Sequence, residues 1–150
     1  MIIRQYHAFQ PFISSVKNLE SASPGGSIWD EASWQNLFQS RKIFVSLEFQ
    51  KELLLGYAAL SWVESEAELL KIVVSPEYRR QGIGRRLLYR IIRELPPQQT
   101  DVLHLEVRSD NPAAISFYER LGFEAVGQRA AYYSEPVCDA ILYSLSLAVE

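Results

Sequence analysis

The residues best suited by type and spacing to do chemistry lie between positions 79 and 85: Arg79-Arg80-Gln81-Gly82-Ile83-Gly84-Arg85. Gly82 and Gly84 let the backbone bend and approach a ligand closely. The run that follows reads as a helix. The free N–H groups of a helix's first turn, and the positive end of its dipole, point at one spot. Arg79, Arg80 and Arg85 surround that spot. Such an arrangement binds an anion, phosphate above all. Two elements must position it. Leu69-Leu70-Lys71-Ile72-Val73-Val74 is apolar and β-branched apart from Lys71, which predicts an interior strand. Ser75-Pro76 stops it, because proline donates nothing to a sheet ladder. Ile83, Leu87, Leu88, Ile91, Ile92 and Leu95 then recur at three-to-four spacing, one face of a helix that Pro96-Pro97 ends. Arg86, Arg90, Arg93 and Glu94 fall on the other face.

The composition bounds what else the chain can be. Its 150 residues suffice for one domain with a real core, so a single domain over 1–150 is expected. Hydrophobic content of 48% and charged content of 22% are ordinary for a globular chain. The net charge of −3 argues against nucleic acid or an anionic membrane as a partner. Positive charge is instead local: Arg79, Arg80, Arg85, Arg86, Arg90 and Arg93 fall within fifteen residues. Cys138 is the single cysteine, which excludes an internal disulfide and reads as a passive thiol. Met1-Ile2-Ile3-Arg4 lacks the long apolar region of a signal peptide, and no run reaches transmembrane length. A cytoplasmic protein is expected.

In chain order, Ile2 to Gln5 predicts a short strand. Phe9 to Leu19 predicts a helix, and 20–27 a flexible loop around Pro24-Gly25-Gly26. A second helix from Asp30 to Gln39 is capped by Asp30 or Ser27. Strands at 43–49 and 53–63 flank the polar turn Gln50-Lys51-Glu52, and Gly56 marks a bulge or a close backbone approach. A third strand covers 67–74. After the glycine-loop helix, Val102 to Val107 alternates: Leu103, Leu105 and Val107 on one face, Val102, His104, Glu106 and Arg108 on the other. Asn111-Pro112 starts a helix that runs to Leu121, with Gly122 at its end. Strands at 123–128 and 140–147 close the chain, joined by a loop holding Tyr132-Tyr133. The order β-α-α-β-β-β-α-β-α-β-β predicts an α/β chain with α and β mixed: a mixed sheet carrying helices on both faces.

Two common phosphate loops do not fit. A Walker loop needs a lysine and a Ser or Thr after its last glycine, and neither follows Gly82 or Gly84. A dinucleotide fold needs a third glycine where Leu87 stands. The spacing R/Q-x-x-G-x-G/A instead resembles the pyrophosphate loop of the GNAT N-acetyltransferases. A second segment resembles the same superfamily: Leu105-Glu106-Val107-Arg108, then Asn111, Ala114, Tyr118 and Gly122-Phe123. Together the segments are most similar to the RimI branch, the ribosomal-protein-alanine N-acetyltransferases. The close match covers Glu66 to Phe123.

The resemblance implies the GNAT fold, a mostly antiparallel seven-stranded sheet splayed between its fourth and fifth strands. It implies acetyl-CoA as co-substrate, no metal, and a peptide or protein N-terminus as acceptor, a ribosomal protein among the candidates. Arg79, Arg80, Gln81, Gly82, Ile83, Gly84 and Arg85 would cradle the pyrophosphate. The main chain of Ile72, Val73 and Val74 would hold the pantetheine arm, and Asn111 and Tyr118 would add contacts. Glu106 would be the base and Tyr118 the acid, while Trp29, Tyr132 and Tyr133 would line the acceptor groove. Structural alternatives stand beside these roles. Glu106 could pair with Arg108 or His104, Tyr118 could be a core aromatic, Asn111 a simple N-cap, and His104 a rival base. RimI-like chains carry Pro-Trp where this one has Ile28-Trp29, so acyl transfer to a small amine and a non-catalytic CoA-binding module stand as alternatives.

Overall fold

The structure, a computed structural model, describes residues 1–23, 27–134 and 136–148. Its strands follow the hydrogen-bonded order β1-β2-β3-β4-β5-β7-β6. They are β1 (Ile2–Ile3), β2 (Lys42–Gln50), β3 (Leu53–Val63), β4 (Glu66–Val74), β5 (Val102–Arg108), β6 (Glu124–Ser134) and β7 (Val137–Ser146). The helices are α1 (Tyr6–Phe9), α2 (Ile13–Ser21), α3 (Glu31–Ser40), α4 (Ile83–Ile92) and α5 (Pro112–Arg120). The mixed sheet, antiparallel except where β4 runs beside β5, is the expected one. The chain divides into two compact units, Met1–Val63 with Leu69–Pro96, and Glu64–Glu68 with Pro97–Glu150, so the boundary falls inside β4.

In the first unit, β1 pairs with β2 and β2 with β3, antiparallel, with a bulge between Glu48 and Phe49. The predicted first helix is broken. Residues 10–12 form a 3-10 turn between α1 and α2, because Pro11 has no N–H to give an α-helical ladder. α2 runs on through Glu20, which the sequence reading had put in a loop. Asp30, not Ser27, caps α3: its carboxylate accepts from the Ser33 N–H at 2.7 Å. The Pro24-Gly25-Gly26 turn lies outside the described residues. Phe9, Trp34 and Tyr57 anchor one core layer, with rings 4.6 Å (Phe9–Trp34) and 6.0 Å (Trp34–Tyr57) apart.

Gly56 and Tyr57 are neighbours on β3, so they face opposite sides of the sheet. Tyr57 meets Trp34 of α3. A Cβ at Gly56 would lie 3.0 Å from Leu87 Cδ1 of α4 and 2.9 Å from the Val73 carbonyl of β4. Helices therefore cover both faces, and the close backbone approach expected at Gly56 is present.

In the second unit, β5 pairs antiparallel with β7 from Val102↔Ser146 to Arg108↔Ala140, and β7 pairs with β6. The opening of β4 runs parallel to β5 over three residues, Glu66↔Val102 to Glu68↔His104. The alternation predicted for β5 holds, with Leu103, Leu105 and Val107 buried. Tyr132 and Tyr133 are not in a loop. They belong to β6, which runs on past two register breaks, one of them between Arg129 and Tyr133. The Asp139 carboxylate bridges that break by accepting from the Ala131 N–H and the Gln128 side chain, both at 2.8 Å. Such a bulge disrupts the alternation that marks a strand in sequence. No helix among the described residues is long and apolar enough to cross a membrane.

Gly56→Ala is expected to destabilise the fold by about 1–3 kcal/mol, because the new methyl collides with fixed backbone at Val73. A thermal melt checks this; an unchanged midpoint would show that β3, β4 and α4 can part at little cost.

Candidate active site

The glycine turn forms as its sequence requires. β4 ends at Val74, and Ser75 is held by its N–H bond to the Leu55 carbonyl at 2.8 Å. Arg80 and Gly82 both take positive φ, 62° and 80°. Gly82 is the N-cap of α4, and the first helical bond runs from the Arg86 N–H to the Gly82 carbonyl at 3.0 Å. The N–H groups of Ile83, Gly84 and Arg85 consequently have no acceptor within the helix. Only Gly82 of the two loop glycines uses the left-handed region; Gly84 is already helical. A Cβ at Gly82 would stand 3.3 Å from Arg86 Nη1. Free amides at the start of a helix suit an anion such as a pyrophosphate.

The arginines divide the work. Arg79 turns back, its Nε donating to the Val74 carbonyl at 3.2 Å, which ties the loop to the end of β4. The Arg85 guanidinium lies over the Tyr89 ring at 5.3 Å, and Arg80 is exposed. Arg86 lies on the exposed helix face, yet it is fully engaged. Its Nη1 donates to the Gln81 carbonyl at 3.2 Å, while Nη2 and Nε grip the Glu48 carboxylate at 2.8 and 3.1 Å. Arg90 adds bonds to Glu48 and to the Leu47 carbonyl. The Arg86 guanidinium holds the Glu48 carboxyl below the usual carboxylate range. Glu48 is the β2 partner of Gly56, so its side chain projects on the face that α4 covers. The signal was present in the sequence: Gly82, Arg86 and Arg90 form one stripe at four-residue spacing.

Ile72, Val73 and Val74 are only half-buried, unlike an interior strand paired along its length. Trp29 is half-buried too. Its ring sits 4.8 Å from that of Trp34, and the Lys71 ammonium lies 4.2 Å from its centre.

The second unit brings together Glu106, Tyr118, Tyr132 and Tyr133. Glu106 projects from the half-buried face of β5, its side chain 23% exposed. Neither expected structural partner takes it. Arg108 bonds Asp110 at 3.0 and 3.2 Å, and His104 Nδ1 meets the Ser144 hydroxyl at 2.7 Å. Glu106 instead has Arg129 Nη2 at 3.6 Å, and its carboxylate raises the pKa of the Tyr132 phenol. Glu106 is also among the charges that raise the Tyr133 hydroxyl, after burial. The Arg108 guanidinium covers the Tyr133 ring at 4.8 Å.

Tyr118 is 7% exposed, with its ring against Phe117 and Phe123. Burial pushes its hydroxyl well above the ordinary tyrosine range, with Tyr133 the second cause, so it keeps its proton. It is a core aromatic whose hydroxyl stays protonated. The Asn111 side-chain oxygen caps α5 through the Ala114 N–H at 3.1 Å. Sequence reasoning missed Arg129. It sits where the β6 register breaks, so no periodicity could assign its direction.

A family model described as "Acetyltransferase (GNAT) family" matches residues 13–123. The chain belongs to the GNAT acetyltransferase family. It is similar to the [ribosomal protein bS18]-alanine N-acetyltransferase of Escherichia coli K12, 37% identical over 123 residues that cover 81% of this chain and 82% of that one. It is 42% identical over 91 residues to the N-alpha-acetyltransferase RimI of Mycobacterium tuberculosis, covering 58% and 56% of the two chains. The crystal structure of the E. coli ribosomal-protein-S18-alanine N-acetyltransferase superposes with a TM-score of 0.82 at 31% identity, over 100% of this chain and 95% of that one. The enzyme is thus an acetyl-CoA-dependent N-acetyltransferase of the GNAT fold. No group of three or more His, Cys, Asp or Glu able to hold a metal occurs among the described residues.

Gly82→Val is expected to abolish acetyl-CoA binding in calorimetry without unfolding the enzyme. A β-branched residue at φ +80° distorts the turn and crowds the Arg86 guanidinium that holds it. Binding as tight as in the unsubstituted enzyme would move the phosphate site elsewhere.

Proposed function

We propose that the enzyme acetylates the N-terminal α-amine of a protein, an alanine-first ribosomal protein being the leading acceptor. The observation that carries this reading is Glu106, a half-buried carboxylate whose one close cation is the loosely placed Arg129, in the same unit as a buried, protonated Tyr118. Similarity to bS18-alanine N-acetyltransferases over most of the chain supports the same acceptor class. A cytoplasmic location follows from a ribosomal acceptor. The family match at 13–123 draws on both compact units, which supports one acetyltransferase domain over 1–150.

Acetyl-CoA, when bound, supplies an acyl carbon activated as a thioester. The amides of Ile83, Gly84 and Arg85, with Arg79, Arg80 and Gln81 in the same turn, would hold its pyrophosphate. The main chain of Ile72, Val73 and Val74 would bind the pantetheine arm as an added strand does, and Asn111 would contribute a side-chain contact. An N-terminal amine has a pKa of about 7.7–8.0, so a carboxylate suffices to take its proton at neutral pH. Glu106 is the candidate for that step. An arriving ammonium would displace the exposed Arg129 guanidinium from it. Tyr118 would give its proton to the departing thiolate. Trp29, Tyr132 and Tyr133 would shape the groove for the first residues of the acceptor.

The test is CoA release from acetyl-CoA, followed with a thiol reagent, in the presence of alanine-first peptides or of small amines such as spermidine. Release with peptides alone is expected. Release with small amines alone would assign a small-molecule acetyltransferase, and CoA binding without release would leave a binding module. Glu106→Gln is expected to lower kcat about a hundredfold at neutral pH with acetyl-CoA affinity unchanged. Unaltered turnover would remove Glu106 as the base.

A further inference from the structure

Lys71 is the one charged residue in the apolar stretch Leu69–Val74 of β4, and its partner is Glu20 at the end of α2. The two side chains are 11% and 1% exposed and meet at 3.0 Å. Glu20 accepts two further bonds: Oε1 from the Tyr57 hydroxyl and Oε2 from the Trp29 N–H, both at 3.0 Å. Lys71 also donates to the Ser27 carbonyl and lies 4.2 Å from the centre of the Trp29 ring.

A buried ion pair is a poor device for stability. Well-packed apolar residues of similar volume do as well or better. What this pair does, and an apolar pair could not, is to satisfy the backbone of the connection between α2 and α3. That connection carries Ser27 and Trp29, whose carbonyl and N–H have no sheet or helix ladder to join. Glu20 and Lys71 hold both. Side chains alternate along β4, so Lys71 reaches this connection while Ile72 points to the other face. The strand that offers its main chain to the pantetheine arm is thereby fastened to the segment that carries Trp29.

We infer that Glu20 and Lys71 are positioning residues for the acceptor: the pair fixes the Ser27–Trp29 segment, and with it the groove wall, without contacting either substrate. This inference rests on the reading of Trp29 as an acceptor-groove residue. It requires that loosening the pair weaken use of the acceptor and spare acetyl-CoA.

The experiment uses Lys71→Met, which keeps the aliphatic stem and removes the charge. Steady-state kinetics with an alanine-first peptide are combined with amide hydrogen exchange at Trp29. Trp29 exchange is expected to rise, and acceptor KM to rise roughly tenfold, with kcat and acetyl-CoA KM within about twofold of the unsubstituted enzyme. Lys71→Arg, which retains a cation, is expected to recover most of the acceptor KM. Should Lys71→Met fold poorly, Glu20→Gln/Lys71→Met leaves no lone buried charge and is expected to give the same KM split. Unchanged Trp29 exchange would overturn the inference. So would faster exchange with an unmoved acceptor KM, or acceptor and acetyl-CoA KM rising together. The unsubstituted enzyme separately tests the N-terminal-amine reading. If it uses spermidine and rejects peptides, that reading falls, and the pair is judged on the spermidine KM.

Discussion

A missing side chain at one position of β3 sets how close α4 can come to the sheet. Gly56 leaves room for Leu87 and Ile83 on one side and the Val73 carbonyl on the other. Directly across the ladder, Glu48 rises on the same face and takes Arg86 and Arg90. A small residue and a carboxylate, paired in register, thus fix the distance and the rotation of the helix together. Rotation matters because Arg86 also holds the Gln81 carbonyl, which orients the turn whose free amides are the proposed phosphate cradle. The anion site is in this sense an outcome of sheet packing as much as of the glycines that mark it.

Three carboxylates recur in this molecule in one role with different stakes. Glu48, Glu20 and Glu106 each receive a cation from another element: Arg86, Lys71 and Arg129. Glu20 is sealed with its lysine, and an ion pair so placed is strongly destabilising to break from one side. Glu48 is gripped by Arg86 at 2.8 Å, but from the surface, with the guanidinium 52% exposed. Glu106 differs. Its partner is 56% exposed and 3.6 Å away, and such pairs contribute little net stability. The carboxylate proposed to exchange partners is the one with the loosest grip.

The two functional segments were legible because each announces itself locally. The change from strand to helix period around Gly82, and Asn111-Pro112 as cap and first residue, place the starts of their helices within a residue of the structure, whereas α4 ends at Ile92, short of the expected Leu95. Glu106 was placed on the correct face of β5 by alternation alone. What failed depends on contacts distant in sequence. Lys71 looked like an interruption in a strand until Glu20, 51 positions away, was seen to meet it. Arg86 is on the exposed face as its spacing predicts, but its partner Glu48 stands 38 positions away. The extension of β6 through Tyr132-Tyr133 was hidden because its alternation breaks, and Asp139 on the next strand repairs that break.

β6 is bound on one side only, to β7, and ten of its eleven residues are exposed. Yet it supplies Arg129, the close cation of Glu106, and Tyr132, whose phenol that carboxylate perturbs. Substitutions along such a margin disturb almost no buried packing, so their effect on stability stays small. On the proposed reading, acceptor choice can therefore drift through this strand while the proposed nucleotide cradle, tied into Gly56 and Glu48, stays fixed. A lineage could change what it acetylates far more readily than what it acetylates with.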